Sequence, residues 1–409
     1  MRLNAGIDVP DLWQFLPLKR ITRFGYGDAL ASDAREKGGI KVYGSNGPFD
    51  EHSEANTLGP CIVVGRKGSY GKFNYSDYPV FAVDTTFIID RRHTDADLRF
   101  LYYLLSILGL DELSDDTAVP GLSRQKAYQA LCPLPPLDIQ RRIARFLDEK
   151  TARIDGLIEK KRALLDRLGE KRQALITRAV TKGLNPGAPM KPSGIDWLGD
   201  IPAHWEVKRL RFLLDRGTLN GLYKAKEAFD PDGIPFVQMG EAFRSPVFDG
   251  GTEDRVIASN EEVEKWGLMD GDFLIARRSI VFEGSGKSVL VSGLREPHIF
   301  ESSMIRIRPK EPADYSRFLS FYFQSQIGRE SILSVTKRVT ISGIDSQQLK
   351  SIHVPVPPGS ESRDIATYCE SYDRNAGHVE SEISASIERL TEYRAALITA
   401  AVSGKMEIA

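Results

Sequence analysis

The sequence predicts an α/β (mixed α+β) chain, with two globular parts separated by two long antiparallel coiled-coil helices and an internal two-fold repeat. Three observations lead there. Pro133-Leu134-Pro135-Pro136 returns 222 residues later as Pro355-Val356-Pro357-Pro358, and at that displacement Ala174-Leu175-Ile176-Thr177 returns as Ala396-Leu397-Ile398-Thr399. Each proline cluster is followed by sustained heptad periodicity, and each is preceded by short apolar runs between glycine-rich turns. A period longer than half of a 409-residue chain describes two copies of one module, not a solenoid.

Taken in order, residues 1–132 form the first globular part. Cys61-Ile62-Val63-Val64, Val80-Phe81-Ala82-Val83 and Thr86-Phe87-Ile88-Ile89 read as strands, and Arg99-Phe100-Leu101 opens an aromatic-rich helix. Residues 133–190 hold the first long helix and a linker. There Leu147, Ile154, Lys161, Leu168 and Leu175 stand seven apart, with Ile143, Leu157 and Leu164 on the neighbouring stripe. Gly183-Leu184-Asn185-Pro186-Gly187 stops that helix. Residues 191–354 repeat the globular pattern, with strands at Phe273-Leu274-Ile275-Ala276 and Met304-Ile305-Arg306-Ile307 and a helix opened by Arg317-Phe318-Leu319. Residues 355–409 carry the second helix, with Cys369, Ala376, Ile383, Leu390 and Leu397 in register and Ile365, Tyr372 and Val379 beside them. Such a seam keeps one face against a partner helix. About 40 residues at 1.5 Å each give a length on the order of 60 Å. From Asp138 to Lys182 the charge balance is +6, and from Ser360 to Gly404 it is −4. Opposite flanks favour pairing of the two helices with each other over two independently solvated faces.

Composition bounds the class. The chain is 41% hydrophobic and 27% charged, with a net charge of −1, so affinity for a polyanion has to come from local basic patches. No run of about 20 apolar residues is present, and Met1-Arg2-Leu3-Asn4 leads into polar sequence without an apolar signal core. Cys61, Cys132 and Cys369 are far apart and odd in number, which fits packed, reduced thiols of a cytoplasmic protein. The six histidines show no ligand spacing, so no metal is expected.

Several stretches together resemble the specificity (S) subunit of type I restriction–modification systems. Pro133-Leu134-Pro135-Pro136-Leu137 followed by Gln140-Arg141-Arg142-Ile143-Ala144 is similar to the start of that family's central helix, and Ala174 through Leu184 to its end. Trp197-Leu198-Gly199, Ile201-Pro202 and His204-Trp205-Glu206-Val207 resemble the opening of its second target-recognition domain. Val42-Tyr43-Gly44-Ser45-Asn46-Gly47, Gly65-Arg66-Lys67-Gly68-Ser69-Tyr70-Gly71 and Asp84-Thr85-Thr86-Phe87 resemble a recognition-domain subtype. The match departs at the N-terminus, where only Trp13 and Leu18-Lys19 remain of the opening motif, and at Ser362-Arg363-Asp364, which replaces the Gln-Arg-Arg stretch.

The resemblance implies a non-catalytic adaptor with no cofactor of its own. Each recognition domain would read one half of a split, asymmetric site in double-stranded DNA. The helices would dock two methyltransferase (M) subunits that bind S-adenosylmethionine, and restriction (R) subunits would add ATP- and Mg-dependent cleavage. Helix register would set the gap between half-sites, at about 3.4 Å per base pair.

Basic, amide and aromatic residues in glycine-rich loops are the candidates for DNA contact, because Arg and Lys bond guanine O6/N7 and Asn or Gln bonds adenine N6/N7. In the first copy these are Arg66, Lys67, Ser69, Tyr70, Lys72 and Asn74, then Lys41, Tyr43, Ser45 and Asn46. In the second they are Arg277, Arg278 and Lys287, then Tyr223, Lys224 and Lys226, with Gln238 and the pair Lys337 and Arg338. Any one of these alone reads more readily as a solvated surface charge; comparable clusters in both copies favour contact. Gly284-Ser285-Gly286-Lys287-Ser288 imitates the end of a P-loop, but Val281 stands where the first glycine belongs. Glu206-Val207-Lys208 imitates a nuclease metal motif without a convincing upstream carboxylate. The alternatives are a self-contained nuclease or methyltransferase with fused recognition domains, for which neither set of motifs is found, and a purely structural coiled coil, which leaves the basic loops unexplained.

Overall fold

The computed structural model describes residues 13–113, 121–279, 284–336 and 342–408. The chain divides into two compact units. One runs up to Arg162 and takes in the stretch from Ile383 onward; the other runs from Ala163 to Glu382. Each unit therefore holds one end of each long helix, whereas the sequence boundaries at 133 and 355 set the helices apart as segments of their own.

The first unit opens with β1 (Gln14–Pro17), β2 (Gly25–Tyr26), β3 (Ile40–Gly44), β4 (Gly47–His52), β5 (Cys61–Gly65), β6 (Phe73–Ser76), β7 (Phe81–Ala82) and β8 (Thr86–Ile89). Helices α1 (Leu98–Ser106) and α2 (Arg124–Gln129), strand β9 (Leu131–Leu134) and the long helix α3 (Leu137–Lys182) follow. The second unit holds β10 (Met190–Pro192), β11 (Asp200–Pro202), β12 (Glu206–Arg209), β13 (Leu214–Asn220), β14 (Phe229–Val237), α4 (Met239–Ala242), β15 (Val247–Phe248), β16 (Arg255–Val256) and α5 (Asn260–Trp266). It continues through β17 (Phe273–Ala276), β18 (Arg278–Ser279), β19 (Ser288–Val291), β20 (Ile299–Phe300), β21 (Met304–Pro309), α6 (Pro312–Gln324), α7 (Gln326–Val335), β22 (Ser342–Gly343), α8 (Ser346–Ser351), β23 (His353–Val356) and the first part of the long helix α9 (Gly359–Val402).

The two units repeat one topology. The first has a sheet ordered β2-β8-β5-β6 and the second β13-β21-β17-β19, extended by β15. Beside each lies a three-stranded sheet, β4-β3-β7 and β16-β14-β20, containing one antiparallel and one parallel pair. β1 pairs with β9 as β12 pairs with β23. The globular parts, only loosely alignable in sequence, thus share these sheets and their strand order, with β15 and the β10–β11 pair added in the second. The sequence places the second aromatic-rich helix from Arg317, and α6 starts earlier, at Pro312, whose fixed φ suits a first helical turn.

Side-chain alternation along the strands makes each sheet two-faced. Ile62 and Val64 of β5 join Phe100, Leu101 and Leu104 of α1 in one core, while Cys61 and Val63 face Tyr43 and Ala82 of the small sheet. In the second unit Phe273 and Ile275 face Phe318, Leu319 and Tyr322, while Leu274 faces Val237 and Phe300.

The long helices enter the first of these faces in both units. Ile143, Leu147, Ile154 and Ile158 share a core with Leu397, Ile398 and Val402 in the first; Ile176, Ala179 and Val180 share one with Ile365 and Cys369 in the second. The start of one helix therefore pairs with the end of the other, an antiparallel arrangement. Arg394 donates to Asp155 at 2.8 Å in the first unit, and Arg172 donates to Asp373 at 2.6 Å in the second. The neighbouring stripe departs from expectation. Leu157, Leu164 and Val379 are exposed, although Ile143 and Ile365 are buried. A straight helix drifts about 20° per heptad, so four heptads move the buried position by nearly one residue. Accordingly Leu147 is buried, whereas at the far end Ile176 is buried and Leu175 only partly so. Ile383 and Leu397 are buried; Leu168 and Leu390 are half-buried.

A charged latch fixes each globular part to its helix. Arg99 of α1 donates to Asp148 of α3 at 2.6 Å, and Arg317 of α6 bonds Glu370 of α9, the residue 222 positions after Asp148. At the far end of α3 the helix closes on Gly183, whose φ of +72° gives the left-handed cap that glycine adopts without a Cβ penalty. Trp205 packs beside that glycine and edge-on to Phe318, fully buried, with no hydrogen-bond partner for its Nε1 among the described residues. Trp205→Ala should cost about 3–5 kcal/mol in a denaturation titration, whereas Trp205→Phe, which keeps an aromatic ring and loses no bond, should cost far less.

Candidate nucleic-acid interface

The base of the loop that follows the central strand is closed in both units by the same backbone hydrogen bonds. After β5, the Gly65 amide donates to Lys72 O at 2.7 Å, the Gly71 amide to Gly65 O at 2.9 Å and the Arg66 amide to Thr85 O at 2.8 Å. After β17, the Ala276 amide donates to Lys287 O, the Gly286 amide to Ala276 O and the Arg277 amide to Ser303 O, each at 2.8 Å. The Leu122 amide donates to Arg66 O, and the Ile344 amide, 222 residues later, to Arg277 O. Lys67 bridges to Gly121 as Arg278 pairs with Gly343. These bonds equate Arg66 with Arg277, Lys67 with Arg278 and Lys72 with Lys287: three cations at the same three positions of one frame.

Around the first loop the structure gathers several of the expected residues. Lys72 Nζ donates to Asn46 Oδ1 at 3.0 Å, Ser45 Oγ donates to Thr85 O at 2.7 Å, and Asn74 lies beside Gly47. Arg66 Nη1 donates to Asp84 O at 3.2 Å, and its guanidinium sits 4.9 Å from the Tyr26 ring centroid. Arg124 covers the same ring at 5.1 Å. Lys67 and Lys72 are exposed, Ser69 and Tyr70 half-buried. Among the described residues none of Arg66, Lys67, Lys72 and Arg124 has a carboxylate partner. Tyr43 is different. It lies in the core against Cys61 and Val63, where burial raises its hydroxyl pKa, so its ring faces inward and is no surface contact. Lys41 is exposed near the other end of β3.

In the second unit Arg278 and Lys287 are exposed and Arg277 is half-buried. Lys224 is engaged: both Glu262 carboxylate oxygens accept from its Nζ at 2.8 Å, and that bond holds the Glu262 carboxyl below its usual range. Gln238 is engaged too, donating to Asp254 at 2.6 Å. These two side chains fix loops, which their polar character alone did not reveal. Tyr223 and Lys226 are exposed. Lys337 and Arg338 lie outside the described residues. Gly284–Lys287 precedes strand β19, which pairs antiparallel with β17, so no helix N-terminus follows it to cradle a phosphate. Glu206 and Lys208 pair with each other on β12 at 2.6 Å. Among the described residues no group of three or more His, Cys, Asp or Glu could hold a metal ion, and no helix is long and apolar enough to cross a membrane.

Three residues escaped the sequence reading. Tyr26 and Arg124 come together with Arg66 of the first loop, and Ser346 bonds Asn220 in the second unit; the only signal was that the 222-residue displacement places Ser346 on Arg124. Glycine marks the spot in the fold. A Cβ on Gly27 would lie 2.2 Å from Val83 O, and one on Gly221 would lie 1.9 Å from Glu301 O, so the chain leaving β2 and β13 makes its close crossing only because these residues have none. Exposed cations beside amides and an exposed aromatic ring suit contact with phosphates and base edges.

Residues 10–167 and 202–389 match the model of the type I restriction modification DNA specificity domain. The putative type I restriction enzyme MjaX specificity subunit of Methanocaldococcus jannaschii is 27% identical over 191 residues, 46% of this chain and 43% of that relative, less than half its length. The putative specificity subunit S.HindORF215P of Haemophilus influenzae is 25% identical over 370 residues, 88% of this chain and 87% of that one. A chain from a structural study of complex assembly and conformational transition in the type I R-M system shares the fold, with a TM-score of 0.74 at 15% identity, covering 98% of this chain and 100% of its own. With two copies of the family's domain spanning most of its length, the chain belongs to the type I restriction–modification DNA specificity family.

Proposed function

We propose that this chain is the DNA-reading subunit of a type I complex, each unit recognising one half of a split, asymmetric site. The observation that carries this reading is the duplicated loop, with Arg66, Lys67 and Lys72 on the same backbone positions as Arg277, Arg278 and Lys287. One frame repeated in one chain gives two readers, and different side chains on it give them different targets. The repeat extends through the long helices, which would offer two equivalent docking segments to two methyltransferase subunits. Methyl transfer from S-adenosylmethionine, and ATP- and Mg-dependent cleavage by restriction subunits, would then be supplied by those partners. This chain's own residues position the DNA.

The test is electrostatic. Replacing Lys67 and Lys72 with Ala in the assembled complex should weaken duplex binding and reduce the slope of log affinity against log salt by up to about 2, close to 0.9 per lost phosphate contact. Replacing Arg278 and Lys287 should do the same from the other unit. A salt slope unchanged in both variants would contradict the reading.

A further inference from the structure

Beyond the shared cations, the two loops meet a second pair of elements at matching positions, and there the side chains differ. Tyr26 is the last residue of β2 and pairs with Phe87 of β8; Asn220 is the last residue of β13 and pairs with Ile305 of β21. The glycine that follows each makes the close crossing described above. Arg124 is the first residue of α2 after its Ser123 cap, and Ser346 is the first residue of α8 after its Asp345 cap. In the first unit Arg66 and Arg124 lie on the Tyr26 ring at 4.9 and 5.1 Å; in the second Ser346 Oγ donates to Asn220 Oδ1 at 3.4 Å. The frame thus brings together Tyr26, Arg66 and Arg124 in one unit, and places Asn220, Arg277 and Ser346 at the corresponding positions of the other.

Two guanidinium groups on one half-exposed ring, neither paired with a carboxylate among the described residues, form an unusual surface for a structural role. Their like charges repel, and an acceptor-rich ligand relieves that repulsion. Side chains that merely held the frame would be expected to recur with it, as Arg99 with Asp148 recurs as Arg317 with Glu370. These do not recur. We propose that this junction is a specificity-determining position in each unit: Tyr26, Arg66 and Arg124 select a guanine, whose O6 and N7 are both acceptors, and Asn220 with Arg277 and Ser346 selects an adenine, whose N6 and N7 match a carboxamide. The inference rests on the DNA-reading function proposed above.

The complex of this chain with its methyltransferase subunit is used to select from a randomised duplex library, as wild type and with Tyr26→Asn and Arg124→Ser combined. Tyr26 is 51% exposed, so the exchange should leave thermal melting near that of the wild type, and Arg124→Ser alone serves as the milder variant. The expected result is a changed base at one position of one half-site, with about tenfold or greater loss on the original site, the other half intact and binding to unrelated duplex retained. The reverse exchange, Asn220→Tyr with Ser346→Arg, should change the other half. A wild-type motif that survives both exchanges overturns the inference while leaving the DNA-reading function standing, as does an equal loss of affinity for every duplex. A wild-type complex that selects no motif contradicts the proposed function itself.

Discussion

Each unit can bury its main sheet only by using one end of both long helices, and most of the architecture depends on that constraint. Beside the aromatic helix, Leu147, Ile154 and Ile158 need Leu397, Ile398 and Val402 in the first unit, as Ile176 and Val180 need Ile365 and Cys369 in the second. Each such side chain contributes roughly 1.5–3 kcal/mol when removed from water, so several together rival the net stability of a domain. The first unit consequently draws on residues from both halves of the sequence, and its core cannot close until the end of α9 has been made. Cross-helix pairs such as Arg394 with Asp155 are partly exposed and add register more than energy.

On that base the recognition frame is set by backbone bonds. Neighbouring backbone groups hold the amides and carbonyls of Arg66 and Arg277, while their guanidinium groups remain free of ion pairs among the described residues. A loop positioned through its main chain can exchange side chains without losing its shape. That property suits a module whose targets must diverge while its scaffold persists, and it accounts for two units that agree in topology and differ in their exposed residues.

The features legible in the sequence were those with a period. The 222-residue repeat gave both long helices nearly to their ends, and runs such as Cys61 to Val64 gave the central strands, because alternation and heptads report directly on burial. The small sheets were harder. β7 and β20 are two residues long, and their parallel pairing with β3 and β14 is a tertiary fact with no local signature. Lys224 and Tyr43 looked like surface contacts and proved to be a loop clamp and a core residue, since composition does not say which way a side chain points. The opening motif was also more complete than it looked: Asp8-Val9-Pro10 before Trp13 echoes Asp200-Ile201-Pro202 before Trp205, at a displacement of 192 and not 222.

Under the proposed function, one chain reads two half-sites through two copies of one frame. A map of N6-methyladenine across the host genome, with and without this gene, tests it most directly. The account predicts that deletion removes methylation from one motif consisting of two short, different half-sites around a fixed gap, and that restoring the gene brings it back. Loss of methylation at a continuous motif, or at a palindrome read identically by both units, would contradict it.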